Sequence, residues 1–97
     1  MHLQIPHKTS QQAAVANIKQ ALDENRDKLA GHAVIEKEEW QDSTLNFAVD
    51  LQGKKVSGTL VITDSDYVLD ATLPLLWRMF EGRIEAEVKK QVEQMGH

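Results

Sequence analysis

Four histidines, His2, His7, His32 and His97, are the first residues of this 97-residue chain that could do chemistry. An imidazole can ligate a metal or move a proton near neutral pH. A metal site needs ligands that converge. Only His2 and His7 lie close in sequence, and strand alternation sends them to opposite faces. No cysteine joins them. No metal site and no cofactor are predicted. Asp64-Ser65-Asp66 places two carboxylates two positions apart, as a cation or acid–base pair would require. A calcium loop needs further ligands, a glycine and a distal glutamate at fixed spacing, and these are absent. Turn chemistry accounts for both aspartates. Glu36, Glu38 and Glu39 could poise a general acid if one were desolvated, but they read as a solvated strand face. Ser10, Ser43, Ser57 and Ser65 have no histidine at an interpretable spacing and no nucleophile elbow. No catalytic residue is assigned, and the chain is not expected to be an enzyme.

Apolar residues carry the stronger signal. Leu73, Leu75, Leu76, Trp77, Met79 and Phe80 make a block that is apolar nearly all round. A helix buries one face in a small domain, so part of this surface needs another cover. Leu76, Trp77, Met79 and Phe80 are the predicted interaction residues. Complete burial within the monomer is the competing reading, because a small domain needs its large residues for a core.

The elements that must position these residues follow from periodicity. Residues 2–7 form a short strand with Leu3 and Ile5 on one face. Thr9 or Ser10 caps a helix whose stripe is Ala14, Val15, Ile18, Ala21, Leu22 and Leu29. Gly31 ends it. Residues 33–40 form a second strand of ambiguous facing, which a bulge or an edge position would resolve. Leu45, Phe47, Val49 and Leu51 alternate cleanly, as do Val56, Gly58, Leu60 and Ile62, and then Tyr67, Leu69, Ala71 and Leu73.

A Gly53-Lys54 turn sets Leu51 against Val56 and Phe47 against Leu60. An Asp64-Ser65 turn sets Ile62 against Tyr67 and Gly58 against Ala71. Gly58 and Ala71 then make a small-residue spot that a helix or the Trp77 ring could approach. Pro74 suits a first helical turn, and Gly82 predicts a kink or a short break. Ile84, Val88, Val92 and Met95 continue a stripe to the end. The expected fold is one α+β domain over residues 1–97, in the order β-α-β-β-β-β-α. Its antiparallel sheet carries two helices packed on one face. The other face, with Ala48, Val61 and Val68 among threonines, is left uncovered.

The net charge of −4 is uneven. Residues 31–73 carry three basic and eight acidic side chains, so the sheet holds the acidic excess. That repels a phosphate backbone, and no basic stripe interleaved with aromatics is present. A nucleic-acid role is not expected. The start lacks a secretory pattern, and residues 73–80 are too few and too charged for a bilayer span. With no cysteine, a cytoplasmic setting is expected.

The order of elements resembles the polyhydroxyalkanoic acid (PHA) system family, also called the PHA granule region family. The resemblance covers nearly the whole chain. It is strongest in Trp40-Gln41-Asp42-Ser43-Thr44-Leu45-Asn46-Phe47, in Gly58-Thr59-Leu60-Val61-Ile62-Thr63-Asp64, and from Leu73 to Val92 through Gly82-Arg83-Ile84-Glu85. It implies a small bacterial protein encoded beside genes for storage polyester. It implies a cytoplasmic accessory role at or near granules, with no catalytic residues to carry over. The expected partner is the PHA granule surface, a granule-associated protein, or a twin subunit in a homodimer. The second expectation is a small apolar ligand site for an acyl group, floored by the Gly58/Ala71 gap.

Overall fold

The computed structural model describes residues 1–29 and 31–95. Gly96 and His97 lie outside the described residues, as do the side chains of Leu29 and Met95. Five antiparallel strands form one sheet: β1 (His2–Pro6), β2 (Val34–Gln41), β3 (Thr44–Leu51), β4 (Lys54–Ile62) and β5 (Asp66–Thr72). Their order is β1-β5-β4-β3-β2. α1 (Gln11–Leu29) joins β1 to β2, and α2 (Glu81–Met95) closes the chain. The α+β fold and the order β-α-β-β-β-β-α are those expected from the periodicity.

The β4–β5 register is also the expected one, with Leu60 opposite Leu69 and Ile62 opposite Tyr67. The β3–β4 register is not. The turn is Gln52-Gly53, so Phe47 stands opposite Gly58 and Leu51 opposite Lys54. Gln52 and Gly53 both take positive φ, 56° and 87°. That is the mirror-image turn whose twist matches a hairpin. The Gly53 N–H donates to Asp50 Oδ1 at 2.6 Å, which holds the turn. A slip of two residues preserves every facing, because the side-chain period is two. The alternation therefore specified the faces and left the pairing open.

β2 is an edge strand and it carries a bulge. Ile35 pairs with Val49 and Lys37 with Ala48, so Glu36 is the extra residue. Beyond it Glu38 pairs with Phe47 and Trp40 with Leu45, which turns Glu38 and Trp40 onto the helix side.

Ser10 is the helix cap: its Oγ accepts from the Ala13 N–H at 3.1 Å. Ala14 and Ile18 of α1 are buried against Ile5, Ile62 and Tyr67. Gln11 Nε2 donates to the Ile62 carbonyl at 2.9 Å and anchors the first turn to the sheet. Trp40 packs beside this cluster, with Lys19 Nζ 5.0 Å from the centre of its ring.

The chain between β5 and α2 departs from expectation. Leu75–Phe80 is a 3-10 helix, and Pro74 stands just outside it as the N-cap residue. The Trp77 N–H donates to the Pro74 carbonyl at 2.9 Å. The expected short break does occur, but it falls before Glu81, so Gly82 itself lies inside the first turn of α2. A Cβ at Gly82 would meet nothing within 4 Å.

Gly58 also has another role than the expected one. A Cβ there would collide with the backbone of β5 at Asp70 and Ala71. The neighbouring strand takes up the space, so no helix or ring can enter it.

Candidate functional site

Two surfaces stand out, and the first is the 3-10 helix. Three residues per turn stack i over i+3, which sets Leu76 with Met79 and Trp77 with Phe80. Leu75 is 76% exposed, Leu76 66%, Met79 80% and Phe80 51%. Trp77 is half-buried, and Leu73 just before the segment is buried. The block is thus divided, and complete burial within the monomer does not occur. Leu75 joins the exposed set, although it was not among the four predicted residues. Arg78, within the segment, and Arg83, in the first turn of α2, are exposed.

The second surface is a cleft of about 560 Å³ between the two helices and the sheet. Its floor is Leu45, Phe47, Leu60 and Leu69, with Leu22 of α1 and Val92 of α2 on its walls. It forms because the close packing is concentrated at the Ile5–Tyr67 end of the sheet, which leaves Phe47, Val49 and Leu60 half-buried. Gly58 and Ala71 do not floor it. They border a separate polar recess with Asp70, Glu81 and Glu85.

Polar side chains also line the cleft: Glu24, Asn25, Lys37, Glu38, Tyr67, Gln91 and Gln94. Glu38 was expected on a solvated face, but the bulge brings it in, and its side chain is 23% exposed. Its Oε2 meets Arg26 Nη2 at 2.8 Å, while its Oε1 is buried without a partner among the described residues. Arg26 also meets Asp23 at 3.0 Å, so hydrogen bonds to Glu38 and then Asp23 raise the guanidinium above its ordinary range. Tyr67 lines the cleft at 2% exposure, and its hydroxyl is buried without a hydrogen bond among the described residues. Burial pushes the phenol up. The Asn17 side chain pulls the other way without closing a bond. A buried phenol and a glutamate turned inward by the bulge are features that periodicity alone does not reveal.

The remaining candidates are structural. His2 Nδ1 contacts Asp70 Oδ1 at 2.5 Å across β1 and β5. His7 Nδ1 accepts from the Thr9 N–H at 3.4 Å, so Nε2–H donates to the Thr63 carbonyl at 2.8 Å. Its ring lies 5.1 Å from that of Tyr67. His32 is exposed. Among the described residues, no three His, Cys, Asp or Glu side chains gather where they could hold a metal ion. Asp64-Ser65-Asp66 is a turn: Thr63 Oγ1 accepts from the Asp66 N–H at 2.9 Å, and Ser65 Oγ donates to Asp66 Oδ2 at 2.7 Å. Glu36 and Glu39 sit 3.8 Å from Lys55 and Lys37. Among the described residues, no helix is long and apolar enough to cross a membrane.

Residues 1–95 match a family model described as "Putative polyhydroxyalkanoic acid system protein". Neither a curated protein nor a solved structure matches the chain.

Proposed function

The chain belongs to the polyhydroxyalkanoic acid system family, and from that premise we propose that it is a non-enzymatic accessory protein of polyhydroxyalkanoate storage. It associates with granules through Leu76, Trp77, Met79 and Phe80, joined by Leu75. The observation that carries this reading is the exposure of four large apolar side chains within one six-residue segment. Leaving apolar surface in water costs about 25 cal/mol per Å², so a contiguous patch of this kind favours a cover.

A storage polyester offers an apolar surface studded with ester carbonyls. The apolar side chains suit its hydrocarbon, and the Arg78 and Arg83 guanidiniums can donate to carbonyl oxygens. The contact is superficial, because a six-residue 3-10 helix is too short to span a bilayer. A granule-coating protein or a twin subunit would be recognised by the same apolar patch.

Co-sedimentation of the purified chain with bare polymer, and with granules still carrying their own proteins, tests the reading. Pelleting with bare polymer is the expected result and marks direct docking. Pelleting only with coated granules moves the partner to a granule protein. Absence from both pellets overturns granule association.

A further inference from the structure

The two outer strands of the sheet, β1 and β2, each pair on one side only among the described residues. An edge strand presents a row of unpaired N–H and C=O groups, and proteins blunt such edges with bulges and charges. β2 is blunted in both ways. It carries the bulge at Glu36 and an unbroken charged run from Glu36 to Glu39. β1 is not. Its register with β5 runs without a shift from His2 to Pro6, and only His2 among its side chains can carry a charge.

The parity of the β1 ladder shows which groups are left over. The Ala71 N–H donates to the Met1 carbonyl at 2.9 Å, and the Met1 nitrogen donates to the Ala71 carbonyl at 2.7 Å. Such a reciprocal pair recurs at every second residue of an antiparallel ladder. The next are Leu3 with Leu69 and Ile5 with Tyr67, and the His7 N–H continues the series to the Ser65 carbonyl at 2.9 Å. The backbone groups of His2, Gln4 and Pro6 therefore point away from β5, off the sheet. Pro6 has no N–H, so His2 and Gln4 are the donors of this edge.

The occupant that fits these groups is the same strand of a second copy. Run antiparallel with Leu3 opposite its own counterpart, His2 of each copy stands opposite Gln4 of the other. Each such pair exchanges both N–H···O bonds, and the two-fold axis repeats it, so every free donor meets an acceptor. Pro6 falls outside these pairs. Neither strand contains a carboxylate, so the pairing sets no acidic side chains face to face. We propose that the chain forms a two-fold dimer through the outer edge of β1, which joins two five-stranded sheets into one continuous antiparallel sheet. The axis stands perpendicular to the sheet, so the helices of both copies lie on the same side. Residues 75–80 take no part in the contact, and the dimer does not depend on the polymer-docking reading.

Sedimentation equilibrium of the full chain at pH 7, from micromolar to millimolar concentration, tests this. A monomer–dimer equilibrium is expected. Amide exchange on the same samples locates the contact. The Gln4 N–H should exchange more slowly as the dimer forms, whereas those of Leu3 and Ile5, already bonded to β5, should change little. Gln4→Pro removes an outward donor at an edge position that tolerates proline, and it is expected to abolish the dimer while the monomer still folds.

A chain that stays monomeric at millimolar concentration overturns the proposal. So does a dimer that survives Gln4→Pro, or one that leaves Gln4 exchange unslowed. If Gln4→Pro does not fold, the concentration dependence of Gln4 exchange in the unaltered chain decides. Leu76→Ser with Met79→Ser is expected to leave the dimer intact. Loss of the dimer in that variant would put the contact on the docking segment and overturn the β1 edge. Failure to pellet with polymer bears on docking alone, so the two readings fail separately.

Discussion

Gly58 sits against Ala71 so closely that a Cβ at position 58 would stand 2.7 Å from the Ala71 Cα. The two are direct partners in the β4–β5 register. Gly58→Ala must push two central strands apart, since backbone atoms cannot yield as a flexible side chain can. The expected cost is about 3 kcal/mol, the upper end for overpacking. For a domain of this size the Tm falls by more than about 10 °C. A melt within a few degrees of the unaltered protein would mean that the strands are not pinched there.

Gly82 predicts the opposite sign. It lies within α2, and a Cβ would enter open space. Gly82→Ala removes conformational freedom from the unfolded chain and is expected to add about 0.5 kcal/mol. A small rise in urea midpoint at constant m-value checks it.

The docking segment divides by burial. Leu76→Ser with Met79→Ser alters two exposed side chains, so stability should stay within about 0.5 kcal/mol per site. Pelleting with polymer should fall severalfold. Trp77→Ala, at a half-buried position, should cost about 2 kcal/mol, below the fully buried range. If the serine pair unfolds the chain, the two side chains belong to a core and the docking surface is lost.

Tyr67 supplies a pH signature. Burial raises its folded pKa, so the unfolded chain releases the phenolic proton first, near pH 10. The folded state then holds more protons than the unfolded one, and stability falls as pH rises beyond that point. Tyr67→Phe should flatten the fall above about pH 10 and leave the neutral range unchanged. Parallel urea titrations of the two proteins from pH 8 to 11 read the difference directly.

Much of the fold is legible in residue order. Alternation in residues 45–73 identifies three strands and their inner faces. The exposed patch is legible for a related reason: a block apolar on every side cannot turn all of itself inward. The β3–β4 pairing was misread by two residues, because Gln52-Gly53 and Gly53-Lys54 both keep Phe47 and Leu60 on the inner face. β2 is legible as a strand but its facing beyond Ile35 is not, since the bulge at Glu36 reverses which of its side chains point inward; the structure shows both the bulge and the edge position that the ambiguity called for. The cleft was illegible because it depends on how two helices stand apart over a sheet. Glu38 and Tyr67 are 29 positions apart in the chain, and only the folded sheet puts both on one cavity.

The placement of β1 beside β5 has a temporal consequence. Strands β2 to β5 join by tight connections, and each hairpin can close by itself. β1 pairs only with β5, with Leu3 opposite Leu69. β1 is synthesised before β5 and must therefore wait for it. Ile5 belongs to the buried cluster that receives α1 and the end of β4, so that cluster is unfinished until β1 arrives. Long-range closure is slow relative to hairpin formation. Pulsed hydrogen exchange during refolding should protect amides of β3 and β4 first and those of β1 last. While β1 is absent, the free edge of β5 remains open to the same strand of a neighbouring chain, which makes exchange of β1 between copies the natural error of this topology.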